Sequence, residues 1–104
     1  MKTILVNFSH PLSAEAKKIL EEKYNVTDFI DIGVHLDTSQ DVEPQVEGII
    51  ENVREAVYGE DIDYIILPGF SVAAALVSWA FPDAKIVRLA AKGTPPVWVP
   101  VEII

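Results

Sequence analysis

The sequence predicts a three-layer α/β fold with a mainly parallel sheet and helices on both faces. Strand-like and helix-like segments alternate along the chain, the short apolar runs are rich in β-formers, and glycine, proline or polar clusters fall between them. The 104 residues suffice for one domain with a small core, spanning 1–104, with no linker-like stretch, internal repeat or low-complexity segment.

The first strand lies in "KTILVNF", a near-continuous apolar run suited to burial on both faces. "SAEAKKILEEKY" follows with Ala16, Ile19, Leu20 and Tyr24 at helical spacing, Ser13 as N-cap and Glu15 in the first turn. "NVTDFIDIG" supplies a second strand through Val26, Phe29 and Ile30, and "VHLDTSQD" is a polar loop. "DVEPQVEGIIENVREAVYG" is the clearest helix, with Val42, Val46, Ile49, Ile50, Val53 and Val57 in one stripe. Pro44 is tolerated only in its first turn, and Gly59 suits its C-terminal stop. "DIDYIILPG" is the third strand, and "FSVAAALVSWAF" is an apolar helix ending before Pro82. "AKIVRLA" is the fourth strand, "AKGTPP" a turn, and "VWVPVEII" a last strand that Pro100 confines to an edge. Right-handed crossovers give the order 2-1-3-4, with the last strand antiparallel at one edge.

Composition narrows the function classes. The net charge is −8, with eight Lys and Arg in all, which disfavours duplex or long single-stranded nucleic acid. A short anionic ligand stays open, because backbone N–H groups at helix starts bind phosphate without many cations. Half of the residues are hydrophobic and the mean hydropathy is +0.27, high for a small domain. An apolar surface used for self-association reconciles these values, so a homo-oligomer, at least a dimer, is expected. The absence of cysteine excludes disulfides and thiolate metal sites, and the two histidines show no ligand spacing, so no metal or cofactor is expected. "MKTILVNFSHP" turns polar too early for a signal peptide, and no run reaches the ~18 apolar residues of a membrane span. A cytoplasmic protein is expected.

In doubly wound sheets, ligands bind beyond the carboxyl ends of the strands where the winding reverses. Here that crevice falls between strands one and three, with "NFSHPLS" and "LPGFSVAAA" as its lips. On the first lip, Asn7, Ser9 and His10 are candidates for binding sugar hydroxyls, phosphate or a base edge, and His10 is a candidate general acid in phosphodiester cleavage. The alternative is that Ser9 bonds local backbone and His10 is an ordinary surface histidine. On the second lip, Gly69 permits close backbone approach, and Phe70 and Ser71 stand at a helix start. Ser71 would either cap the helix or meet a phosphate oxygen. The segment is neither a Walker A loop nor a GxGxxG fingerprint. Arg88 and Lys92, near the carboxyl edge, would either meet phosphate or solubilise an edge. Nothing selects among Asp28, Asp31 and Asp37 as partner to a catalytic serine and histidine.

"ILVNFSHPLSAEA", "LPGFSVAAALV" and "GTPPVWVPVEII" together resemble a small CRISPR-associated family, the Csx-fifteen type, an accessory of type III systems. The resemblance covers nearly the whole chain, and "NFSHPL" is its most specific element. It implies a CARF-like, Rossmann-like domain that dimerises and binds cyclic oligoadenylate across the dimer axis, cyclic tetra-adenylate foremost. Asn7, Ser9 and His10 would line one side of the pocket, and Gly69, Phe70 and Ser71 the other. The pocket region departs from what a ring of several phosphates would favour, since it offers few cations. Helix N-termini from two subunits would offset this. His10 has no lysine partner beside it in the sequence, so sequestration of the messenger rather than its cleavage is the expected activity. A metal-independent ring nuclease is the alternative within the same site, and an oligomeric protein-binding scaffold without nucleotide is the alternative of another class.

Overall fold

The computed structural model describes residues 2–104. Its elements run β1 (Ile4–Asn7), α1 (Ala14–Tyr24), β2 (Asp28–Asp31), α2 (Val42–Val57), β3 (Tyr64–Ile66), α3 (Ser71–Ala80), β4 (Lys85–Lys92) and β5 (Val97–Ile103). They form a five-stranded sheet of order β2-β1-β3-β4-β5. The pairs β1–β2, β1–β3 and β3–β4 are parallel, and β5 joins β4 antiparallel at the edge. The α/β class read from the alternation is the observed one. No helix among the described residues is long and apolar enough to cross a membrane.

The hydrophobic pattern places the helices. β1 is buried along its whole length because its side chains alternate between two covered faces. Ile4 and Val6 point into a core with Val46, Ile50, Val53 and Val57 of α2 and Ala73 and Val77 of α3. Leu5 points the other way, into a smaller core with Leu20 of α1, Val26, Ile66 and Val87. β5 packs against α1 as well as pairing with β4.

Local chemistry sets the helix ends. The Ser13 hydroxyl accepts from the Ala16 N–H at 3.1 Å and caps α1. Asn25 ends that helix in the left-handed region, which asparagine tolerates well. Before α2, the Asp37 backbone N–H donates to Gln45 Oε1 at 2.8 Å, and Gln45 Nε2 donates to the Asp37 carbonyl at 2.9 Å. Within that loop the Ser39 hydroxyl and then its backbone N–H donate to the Asp37 carboxylate, holding its pKa below the usual 3.8.

The end of α2 carries the glycine stop the sequence predicts and a second left-handed residue just before it. Gly59 does lie in the left-handed region, at φ +74°, but the C-cap itself is Tyr58 at φ +50°. A tyrosine there bears the Cβ clash that glycine avoids, and its 92% exposed side chain recovers little by packing. Tyr58→Gly is therefore expected to stabilise the protein by about 0.5–1 kcal/mol. A raised thermal midpoint checks this, and an unchanged or lowered one contradicts it.

β3 ends at Ile66 after pairing with β4 at Lys85 and Ile86. β4 continues to Lys92 with β5 as its partner, through a register shift between Arg88 and Leu89. The β4–β5 hairpin therefore overshoots the carboxyl edge of β3 and flanks the crevice between β1 and β3.

Candidate functional site

The crevice is built on the ends of β1 and β3. Past the strands the ladder continues, with Phe8 N–H donating to the Ile66 carbonyl at 3.0 Å and Ile32 N–H to the Asn7 carbonyl at 2.8 Å. Phe8 is buried beneath the first lip, its ring centroid 6.2 Å from that of Phe81. The floor is thus rigid, apolar packing, and the polar groups lie on the turns above it.

Asn7 organises the first lip. It is buried, 1% exposed, and its side chain makes three hydrogen bonds. Nδ2 donates to the His10 carbonyl at 2.8 Å and to Asp31 Oδ1 at 3.0 Å, while Oδ1 accepts from the Ser9 N–H at 2.9 Å. Both amide hydrogens are engaged within the chain, so Asn7 shapes the turn and has no donor left for a ligand. That fixes the backbone of Ser9 and His10. Ser9 is half-buried and the His10 side chain is exposed. Asp31 is the site residue that the sequence did not select. It stands opposite Asn7 in the parallel register of β1 and β2.

The second lip leaves helix donors free. Ser71 is the first residue of α3, and Phe70 occupies the cap position with no side-chain cap bond. Of the two possibilities for Ser71, the capping one is therefore not realised. The first helical bond runs from Ala74 N–H to the Phe70 carbonyl at 2.9 Å, so the three N–H groups before it lack helical partners. No acidic side chain stands in the first turn to neutralise them. Gly69 is exposed, its φ is not in the left-handed region, and a Cβ built there meets nothing within 4 Å. Neither backbone conformation nor intramolecular crowding requires glycine at this position.

The cations divide. Arg88 lies across the hairpin from Glu102, and its Nε donates to Glu102 Oε1 at 2.5 Å. Both side chains are about half exposed, so the pair contributes little stability, but it occupies the guanidinium. Lys92 is exposed at the end of β4. Asn7, Ser9 and His10 are brought together on one lip, Gly69, Phe70 and Ser71 on the other, and Arg88 and Lys92 lie along the flanking hairpin.

No family model, curated protein or solved structure matches the chain.

Two concavities lie away from the crevice. One of about 660 Å³ sits at the amino ends of β3 and β4, lined by Asp61, Asp63, Asp83 and Lys85 among others. Another of about 630 Å³ runs between α2 and α3. Among the described residues no group of three or more histidine and acidic side chains is placed to hold a metal ion. The lips of the crevice offer amide donors on one side and a hydrogen-bonded turn on the other. That arrangement suits a ligand large enough to touch both lips, with anionic groups toward α3.

Proposed function

We propose that the chain binds a cyclic oligoadenylate, cyclic tetra-adenylate foremost, and sequesters this messenger in type III CRISPR antiviral defence. The observation that carries the proposal is the uncapped, acid-free amino terminus of α3 opposite the turn pinned by Asn7. The resemblance to the Csx-fifteen type adds the identity of the ligand. With Arg88 tied to Glu102, one subunit offers few free cations near the crevice. A second subunit would double the helix N-termini available to a ring of phosphates, so the binding unit is at least a homodimer. Phe70, Val72, Trp98 and Val101 are exposed apolar side chains at the start of α3 and on β5, suited to that interface.

Sequestration is favoured over cleavage by the surroundings of His10. Its imidazole is exposed and has no hydrogen-bond partner among the described residues. A ring nuclease needs the attacking ribose hydroxyl held in line and an oriented acid for the leaving oxygen. With protein in excess over cyclic tetra-adenylate, the parent is expected to leave the ring intact. His10→Ala is expected to weaken binding by at most the ~1–3 kcal/mol of one hydrogen bond. Full conversion to linear product by the parent within minutes, abolished in His10→Ala at unchanged affinity, would make the protein a ring nuclease instead.

A further inference from the structure

The groove between α2 and α3 is lined by two helical stripes. Pro44, Glu47, Gly48 and Glu51 form one, and Leu76, Trp79 and Ala80 form the other, each at the three- and four-residue spacing of a single helix face. α3 contributes no charged residue, and Trp79 is 75% exposed. A large, rigid aromatic left in water beside an aliphatic wall is the side chain most often found as an interface anchor. α2 supplies an acidic rim, with Glu43, Glu47, Glu51 and Glu55 all exposed. Its one cation, Arg54, donates to Glu51 at 3.2 Å and lies 5.7 Å from the Phe81 ring centre.

Gly48 is a second, independent observation. It sits inside α2, where glycine is less favourable than alanine, and a Cβ built on it meets nothing within 4 Å. Intramolecular packing does not demand a glycine there. Its effect is to keep the groove floor open to another backbone.

We propose that this groove docks a short amphipathic helix of another protein, with aliphatic anchors along one face and lysine or arginine along its edges. The charge selects the occupant. Cationic edges complement Glu47 and Glu51, whereas a second copy of this chain, with net charge −8, would bring the same acidic rim against itself. The apolar anchors would lie against Leu76 and Trp79, and the helix backbone would pass over Gly48. This inference is independent of the crevice, which lies at the carboxyl ends of β1 and β3.

The probe is a labelled amphipathic peptide of leucine and lysine, about 18 residues long so that it can form a helix. A counterpart with glutamate for every lysine is the control. Saturable binding of the leucine–lysine peptide to the whole chain is expected, with none for the control. Trp79→Ala and the double change Glu47→Lys with Glu51→Lys should each weaken it by about tenfold or more. Glu21→Lys with Glu22→Lys alters net charge equally on α1 and should have a far smaller effect. Gly48→Leu should abolish binding while raising the melting midpoint by roughly 3–5 °C, separating a blocked groove from a damaged fold. The proposal is overturned by absence of saturable binding, by equal loss from the α1 double change, or by full binding in Trp79→Ala or Gly48→Leu. It is also overturned if sedimentation shows a parent oligomer that Trp79→Ala dissolves, because the occupant is then a second copy.

Discussion

Asn7→Ala is expected to lower folding stability by about 2–4 kcal/mol, combining three lost hydrogen bonds with a small cavity. The effect is large because the side chain is buried and ties the turn after β1 both to itself and to the end of β2. It holds the His10 carbonyl, the Asp31 carboxylate and the Ser9 N–H at 2.8, 3.0 and 2.9 Å. Water can replace it readily at exposed Asp31, less so at half-buried Ser9. Urea unfolding measures the cost, and a loss below about 1 kcal/mol would mean that the turn is held by something else. Asn7→Asp is a sharper test. It preserves shape, removes both donors, and sets a carboxylate against Asp31 and a carbonyl oxygen. The like charge raises the introduced group's pKa in the folded state, so the stability it contributes is retained in acid and lost as pH rises through that raised value. The Asn7→Asp deficit should therefore be greatest near neutrality and shrink toward pH 4, whereas that of Asn7→Ala should change little.

Gly69→Val is expected to leave the fold intact and to weaken cyclic tetra-adenylate binding by about 10- to 100-fold, the loss of one or more charge-assisted amide–phosphate bonds. The fold tolerates the change because an added Cβ meets nothing within 4 Å and the backbone is not left-handed. Stability should stay within about 0.5 kcal/mol of the parent. What the branched side chain removes is the approach of a ligand to the N–H groups that begin α3. Unchanged affinity in a folded Gly69→Val protein would place the ligand elsewhere.

The α/β class and its parallel core were legible because alternation is carried by local sequence, whereas the edge that the antiparallel strand joins, next to β4, was not. The lips of the crevice were legible for the same reason, as the first residues after β1 and β3. The roles on those lips were less so. Sequence alone makes Asn7 a ligand candidate and hides its structural partner, because Asp31 is distant in sequence and only the β1–β2 register brings the two together. The pairing of Arg88 with Glu102 is likewise hidden in the sequence, because it depends on hairpin register, which shifts at that point. Cap preference favours serine over phenylalanine, yet the helix begins one residue earlier than that preference suggests and Ser71 lies inside it. Among the aromatics near element ends, Phe81 packs internally on Phe8, whereas Trp79 and Trp98 stay exposed.

As proposed, the protein holds the cyclic messenger without consuming it. Calorimetric titration of the parent with cyclic tetra-adenylate, followed by chromatography of the recovered ligand, tests it most directly. Saturable binding with at least two subunits per ring, and a ring recovered unchanged, are expected. Absence of binding at micromolar protein, or recovery of linear product, would contradict it.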